Sequence, residues 1–449
     1  MHETEKYRSS NSKRKEEVQE ARKMDLRQIE NVMKGQEGGM VEEKDTPMTD
    51  QNIAEVDSGS ALQQFLNHIP INSIPGIRNY PVLELKTGDS VRDAIHLLFE
   101  KNVSGAPIAD VVDPDTTTGR FLDRYIGFID LSSMVLWSLE KCKEAHAQTK
   151  GSDKDETGQS GLFSMLQQNP QIGQTKVGEL AKEFLLDPFF PVSLEDTLFH
   201  ILLLLSKHRL RVVPVMEQAD SQLVGFVTPN AVIQLLLRSS GLEWFDSIAD
   251  KAISEFRFEK EEHAVKVYGN QNMAEALQIL WENRVGAVAV ITQGTKRLIG
   301  SLRSNDIYLL LENDNLLNDS KRITVEEFIH IDTEKPDCDP TIDRDLGALL
   351  SAGSLRLRGG FLPRMNSPVM NKKTDTLKQA MKNLAETKSN FSYIVDDSQR
   401  LTGLLTLRDI LIQFAPPCID SSIHGGGFFE SALEQSGCHV KNGAIIRDH

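Results

Sequence analysis

Two hydrophobic periodicities alternate along the chain, and the change from one to the other recurs four times. A spacing of i, i+3, i+4, i+7, typical of an amphipathic helix, holds for two sets of residues: Leu198, Ile201, Leu202 and Leu205; and Leu377, Ala380, Met381 and Leu384. Each such segment follows a short extended piece. It precedes two runs rich in valine and isoleucine that end at turn residues and predict strands. A further apolar helical segment closes each copy. The pattern predicts four copies of a βαββα module.

One glycine marks the last predicted strand of each copy. These glycines are Gly127, Gly225, Gly300 and Gly403, which lie 98, 75 and 103 positions apart. Such uneven spacing differs from that of a solenoid and indicates one compact unit with different insertions between copies. Because so small a unit buries little apolar surface alone, we expect copy one to pair with copy two, and copy three with copy four. The predicted fold class is α+β.

The insertions and the charged ends suggest where the domains begin and end. We expect four regions along the chain: a disordered charged tail at 1–60, a first paired domain at 61–244 with a loop at about 145–175, a second paired domain at 245–415 with an insertion at about 332–367, and a flexible tail at 416–449.

Charge and composition exclude several classes of protein. The net charge of −15 lacks the basic footprint of a general nucleic-acid scaffold. The four cysteines form no CxxC pair, so neither a disulfide framework nor a zinc site is expected, and a reducing compartment fits. The longest strongly apolar run, Ile201 to Leu205, is too short to span a bilayer. No secretory signal is visible. We therefore expect a cytoplasmic or nuclear protein, with residues 13–15 (Lys-Arg-Lys) as a weak nuclear signal.

Motifs for catalysis are missing from the sequence. It contains no GxGxxG, GxxxxGK[ST], GxSxG or HExxH segment. We predict a protein that is not an enzyme, with no catalytic residue, no metal site and no obligatory cofactor.

The repeated pattern, a strand, a helix, Pro-Val, a turn, a Gly-x-x-Thr-x-x-Asp segment and a helix, resembles the cystathionine-β-synthase-type domain, which occurs in tandem as a Bateman module. Four copies together resemble the γ subunits of the AMP-activated protein kinase family, including the plant γ-like subunits of sucrose-non-fermenting-related kinases. The resemblance covers about 61–414 and is carried by four segments: DRYIGFIDLSSMVLWSL, LLLLSKHRLRVVPV, SGLEWF and GLLTLRDI. The four-copy arrangement is specific, whereas each single copy is a weak signal.

This resemblance implies a disc of two Bateman domains and a non-catalytic regulatory subunit of a heterotrimeric energy-sensing Ser/Thr kinase. The implied partners are a catalytic α subunit and a β scaffold, and the implied regulatory ligand is AMP, ADP or ATP, bound between modules. Two alternatives stay open. One is an adenosyl-ligand sensor acting on another metabolic enzyme or transporter, and the other is a scaffold that binds no ligand.

The Thr-x-x-Asp segment supplies the candidate nucleotide-binding residues. In the family its aspartate binds the ribose hydroxyls, while the helix N-terminus favours phosphate. Copy four keeps Thr406 and Asp409; copy three keeps Asp306 but has Arg303 at the threonine position; copy two keeps only Thr228. Copy one matches neither position. Ordinary helix capping is the competing interpretation for the threonine-containing copies, whereas Asp306, without a threonine partner, is explained less well by capping.

Cations that hold phosphate precede the Pro-Val strand in the family. Only copy two has one at the aligned position, Arg211, because the other copies have Ser104, Gly286 and Asn390 there. Arg408 and Arg303, at the closing helices, are further candidates, against the alternative of a solvated surface charge. The missing cations in three copies favour the scaffold that binds no ligand.

Overall fold

The computed structural model describes residues 58–74, 77, 82–110, 125–148, 161–183, 189–208, 210–217, 222–256, 258, 264–331, 355–357, 364–415, 438–441 and 444–447. Within these residues lie four three-stranded sheets, each with its strands in sequence order. In every sheet the first strand runs parallel to the second, and the second antiparallel to the third. The predicted α+β fold of four βαββα modules is confirmed.

The elements follow one another in the same order in each module. Helix α1 (Ser58–Asn67) precedes module 1, which contains β1 (Leu85–Lys86), α2 (Val91–Glu100), β2 (Gly105–Ala109), β3 (Tyr125–Asp130) and α3 (Leu131–Gln148). Connecting helices α4 (Leu162–Gln168), α5 (Pro170–Gly173) and α6 (Val177–Glu183) lead to module 2, which contains β4 (Val192–Ser193), α7 (Leu198–Lys207), β5 (Val213–Glu217), β6 (Gln222–Val227) and α8 (Pro229–Leu237).

The second half repeats this order. Helix α9 (Glu243–Ala249) precedes module 3, which contains β7 (Lys266–Tyr268), α10 (Met273–Asn283), β8 (Ala287–Ile291), β9 (Leu298–Arg303) and, after a 3-10 turn at Ser304–Tyr308, α11 (Leu309–Glu312). Helices α12 (Asp314–Asn318) and α13 (Val325–Ile329) lead to module 4, which contains β10 (Met370–Lys372), α14 (Leu377–Thr387), β11 (Phe391–Val395), β12 (Leu401–Thr406) and α15 (Leu407–Phe414). A separate unit carries an antiparallel hairpin of β13 (Cys438–Lys441) and β14 (Ala444–Arg447).

The predicted helix periodicity matches the observed burial. All eight apolar residues that defined it in α7 and α14 are buried. Each helix therefore buries one apolar stripe in a core, as the spacing requires.

The modules cover one another in a closed cycle. Sheet residues of modules 1 and 2 form one hydrophobic cluster, and those of modules 3 and 4 form another. Helices join the other way: module 1 and module 3 share one core, while α14 and α15 of module 4 contact α7 and α8 of module 2. The sheets therefore pair as predicted, copy one with two and three with four, and the helices join the two pairs.

Connecting segments also cross between modules. Four antiparallel backbone bridges attach them at the start of each module's first helix: Pro70 to Thr197, Lys176 to Ser90, Ala252 to Thr376, and Thr324 to Asn272. The segment that precedes module 1 thus docks on module 2, and the one that precedes module 3 docks on module 4. The other two segments dock on the module they follow. Each pair is therefore interlocked by its own chain.

The connecting segments explain why two of the marker positions are occupied by glycine. A Cβ atom at Gly225 would lie 2.7 Å from the Ile77 carbonyl oxygen, and one at Gly300 would lie 2.9 Å from the Met365 carbonyl oxygen. Connecting backbone approaches the third strand closely at both places, which only a residue without a side chain permits.

The structure departs from the predicted loops in three places. Residues in α4 and α5 lie inside the loop predicted at about 145–175, because Leu162, Leu166 and Ile172 are buried against module 1 and stabilise helices. Helix α3 also continues to Gln148, and residues 149–160 lie outside the described residues. The tail predicted at 416–449 contains the β13–β14 hairpin. Of the predicted tail at 1–60, only 58–60 are described, as the start of α1.

The remaining boundaries stay predictions. The expected division between residues 244 and 245 falls inside α9, which contacts both α1 and α14. Of the insertion predicted at about 332–367, only residues 355–357 and 364–367 are described.

A short segment of this insertion, which we call the strap (residues 355–357), binds module 1. The Ser104 amide donates to the Leu355 carbonyl over 2.6 Å, and the Leu357 amide donates to the Asn102 carbonyl over 3.0 Å. Leu355 belongs to the cluster between the sheets of modules 1 and 2, and Leu357 to the core shared by modules 1 and 3. The strap therefore ties the connection between modules 3 and 4 to the first half of the chain.

We expect a disulfide to form across this contact in the variant Val103→Cys/Arg356→Cys. The two residues face each other in an antiparallel bridge, where Cα atoms are about 4.5–5.5 Å apart, within disulfide reach. Mass spectrometry after mild oxidation should find the two peptides linked. The single variant Val103→Cys, which keeps the native cysteines, is the control. A double variant that stays unlinked would contradict the bridge.

Candidate functional site

Apart from Arg211, which precedes β5, the candidate residues lie where the third strand of each module passes into its closing helix. The residue three positions after the marker glycine occupies the N-terminal capping position there: Asp130, Thr228, Arg303 and Thr406. In modules 1, 3 and 4 this residue pairs with the first residue of the second strand. The four positions are thus structurally equivalent, and their chemistry can be compared directly.

Module 4 has a complete capping box. The Thr406 amide and hydroxyl donate to Asp409 Oδ2 over 2.9 and 2.6 Å, and the Asp409 amide donates back to Thr406 Oγ1 over 3.2 Å. These bonds satisfy donors that a helix N-terminus leaves open. Asp409 is partly exposed, and no described residue donates to its Oδ1. One carboxylate oxygen is therefore left for another hydrogen-bond donor.

Module 3 has an arginine at the same position. The Arg303 amide donates to Asp306 Oδ2 over 2.9 Å. The Arg303 side chain also donates to both carboxylate oxygens, from Nη2 to Oδ1 over 2.6 Å and from Nε to Oδ2 over 2.9 Å. Asp306 thus caps the helix although it has no threonine partner, contrary to the expectation that capping explains it less well. Arg303 is not a solvated charge, because only 14% of its side chain is exposed.

Opposing effects act on the charge of Arg303. Burial alone would lower the pKa of this guanidinium, but the adjacent Asp306 carboxylate outweighs burial and raises it above its ordinary value. The two side chains therefore form a buried, charge-assisted pair within module 3.

Modules 1 and 2 meet through a different ion pair. Arg211 of module 2 donates to Asp130 of module 1, whose carboxylate also accepts from the Ser132 hydroxyl and, over 2.7 and 2.8 Å, from the amide and hydroxyl of Ser133. Burial, the largest effect, would raise the pKa of Asp130, but Arg211 and these hydrogen bonds hold it below the ordinary 3.8. Arg211, the residue predicted to bind phosphate, thus forms an ion pair with Asp130 of the neighbouring module.

Thr228 acts as a helix cap. Its hydroxyl oxygen accepts from the Ala231 amide over 3.3 Å, with Pro229 at the first helical position. No carboxylate stands where modules 3 and 4 have Asp306 and Asp409.

Arg408 lies at the junction of modules 4 and 2. Burial first, and then the charge of Arg408, lower the pKa of His208 at the end of α7. Arg408 therefore lies within electrostatic reach of module 2.

The structure thus joins Thr406 with Asp409 by hydrogen bonds and places Arg408 beside Asp409 on α15. Ribose contact by Thr406, Asp409, Asp306 and Thr228 and phosphate contact by Arg211 and Arg408 stay predictions. Sequence reasoning missed Asp130, although aspartate at a predicted helix start is a known capping signal. In the described parts of the chain, no cluster of His, Cys, Asp and Glu could hold a metal ion. No helix there has both the length and the apolar character to cross a membrane.

Comparison with known proteins places these modules. The CBS domain family matches residues 181–238 and 368–415, which lie in modules 2 and 4. An Arabidopsis thaliana SNF1-related protein kinase regulatory subunit gamma-1 is 25% identical over 404 residues, covering 86% of this chain and 90% of the relative. A gamma-1-like subunit from the same plant is 25% identical over 422 residues, covering 80% and 89%.

A solved structure from Methanocaldococcus jannaschii, titled as a candidate archaeal homologue of γ-AMPK, covers 77% of this chain and 100% of its own, with 14% identity and a TM-score of 0.48.

All four modules share one strand order, and two of them match the CBS domain family model. Across most of its length the chain is similar to γ-type regulatory subunits of SNF1-related protein kinases. The resemblance stated from the sequence is confirmed.

We expect Arg211→Ala to lower the free energy of unfolding by about 1 kcal/mol at neutral pH, since Arg211 is 56% exposed and solvent screens the pair. The pKa of Asp130 is lower in the folded state. The effect should therefore be complete above pH 3.8 and fade as the pH falls through that lowered pKa. Urea unfolding against pH measures it.

A double-mutant cycle with Asp130→Asn supplies the control for this pair. Arg322→Ala, which removes an 87% exposed side chain, should change stability little. A coupling between Asp130 and Arg211 that persists unchanged at acidic pH would argue against the ion pair.

Proposed function

We propose that this chain is a non-catalytic γ-type regulatory subunit of an energy-sensing Ser/Thr protein kinase. The observation that carries the proposal is the similarity to plant kinase regulatory subunits over 86% of the chain and 90% of the relative. Because this similarity covers most of both chains rather than the length of one module pair, it supports a whole subunit of this type rather than a shared domain. The partners are a catalytic α subunit and a β scaffold, in the cytoplasm or nucleus.

A regulatory ligand is the second part of the proposal. We place an adenine nucleotide, AMP, ADP or ATP, at the cap of module 4, where Asp409 Oδ1 is left to accept from a ribose hydroxyl. The exposed amides of a helix N-terminus favour the anionic part of such a ligand. The site borders the sheet cluster shared with module 3. A ligand there shifts the packing of the modules only by its differential affinity for their arrangements.

A scaffold that binds no ligand is the alternative with support of its own. Asp130 and Asp306 are both paired with arginines of the chain, and in modules 1, 2 and 4 a protein side chain accepts from an amide of the closing helix. A protein that needs no nucleotide for its stability fits these contacts.

Affinity purification of the tagged full-length chain from its native source tests the kinase assignment. We expect a protein kinase catalytic subunit and a β-type scaffold to co-purify in near-equal amounts with the chain. The tag alone is the control. Recovery of a metabolic enzyme or a transporter, with no kinase, would overturn the assignment.

Thermal unfolding with added nucleotide tests the ligand. At a concentration of about 100 times Kd, a bound nucleotide should stabilise the chain by about 2.7 kcal/mol. Asp409→Asn should reduce the shift to about half or less, because the amide oxygen still caps Thr406 but carries no charge for the ribose. Thr406→Ser, which keeps the hydroxyl, is the matched control. If AMP, ADP and ATP at millimolar concentration all fail to shift the wild-type chain, the scaffold function is favoured.

A further inference from the structure

The caps of modules 3 and 4 occupy equivalent positions but differ in how much of their carboxylate is free. Both begin at the residue that pairs with the start of the second strand. Asp409 uses one oxygen toward its own module, whereas Asp306 uses both, because Arg303 contributes its amide, Nε and Nη2. Only the module 4 carboxylate has an oxygen with no donor among the described residues.

Burial reinforces this difference. The Asp306 side chain is only 5% exposed, while Asp409 is partly exposed. Removing one partner from a buried ion pair leaves an uncompensated charge, which is strongly unfavourable. A ribose hydroxyl that replaced Arg303 at Asp306 would exchange a bidentate charge-assisted contact for a weaker neutral one.

Neighbouring backbone and side chains hold the arginine in place. Tyr393 of module 4 is fully buried, and its hydroxyl shares a hydrogen bond of 2.8 Å with Ser301, two residues before Arg303 on β9. The Ser301 amide donates to the Met365 carbonyl over 2.8 Å. The strand that carries Arg303 is thus fixed both by module 4 and by the connection that leads to it.

From these contacts we propose that Arg303 occupies, from within the chain, the carboxylate that a ligand would use in module 3. The pair of modules 3 and 4 then offers one nucleotide position instead of two, and Arg303 is the residue that determines this number. The inference rests on the proposed function for the identity of the ligand, an adenine nucleotide. It extends that function by stating that Asp306 of module 3 does not bind the nucleotide.

The variant Arg303→Thr tests the assignment because it restores Thr-x-x-Asp in module 3 while Asp306 stays in place. Equilibrium dialysis with radiolabelled AMP, repeated with ATP, counts bound ligand per full-length chain. We expect one ligand in the wild type and two in Arg303→Thr. Asp409→Asn should weaken wild-type binding at least tenfold, and Arg303→Thr/Asp409→Asn should retain the new site alone.

Two variants control for the loss of an arginine as such. Arg322→Thr removes a highly exposed arginine of the same half of the chain and should leave one site. Arg303→Lys keeps a positive charge beside Asp306 and should also leave one site. If Arg303→Thr binds no more ligand than these controls, the inference is overturned.

Failure of the proposed nucleotide function gives a different result. A wild type that binds no nucleotide would refute that function, yet a site gained in Arg303→Thr would still support the role of Arg303. One site in both chains would keep the function and refute the inference, and no site in either would refute both.

If Arg303→Thr does not fold, amide hydrogen exchange of the wild-type chain with and without AMP tests the same inference. AMP should protect the amides at the start of α15 and leave those of residues 304–308 unchanged. Equal protection at both places would refute the inference.

Discussion

Each module leaves one face of its sheet for a neighbour to cover, and the architecture follows from that constraint. Three short strands with a helix on one side expose the other side, and the sheet faces of modules 1 and 2 close on each other, as do those of modules 3 and 4. The helices then join module 1 to module 3 and module 2 to module 4. No module is complete alone, so any ligand at a module cap acts on a contact between modules.

The crossing segments strengthen this dependence. Backbone bonds such as those from the Ile71 amide to the Asp196 carbonyl and from the Ile253 amide to the Asp375 carbonyl attach each leading segment to the second module of its pair. Separating two modules of a pair would break these bonds as well as the sheet contacts. The strap adds a further tie between the halves through Leu355. A change at one junction is therefore transmitted as a shift of packed elements rather than as a local loop motion.

The repeated helices and strands could be predicted from the sequence, but the contacts between residues distant in the chain could not. Helix periodicity identified Leu202 and Leu384 as core residues because local spacing alone determines the buried face. The bond between Asp130 and Arg211 links residues 81 positions apart, and the strap links residues even further apart. Arg303 resembled a surface charge because a sequence does not show that Tyr393 and Met365 enclose its strand. The helices at 162–173 were missed because their few apolar residues stand among polar ones.

The four caps separate the requirements of folding from those of ligand binding. A closing helix needs an acceptor for its first amide groups, and Asp130, Thr228 and Thr406 supply one, whereas Asp306 accepts from the Arg303 amide at the capping position. Because any of these solutions lets the helix form, the cap can change while the module keeps its fold. Only the box in module 4 leaves a carboxylate oxygen without a donor among the described residues. The fold therefore supplies four equivalent positions, and single side chains decide which of them can serve a ligand.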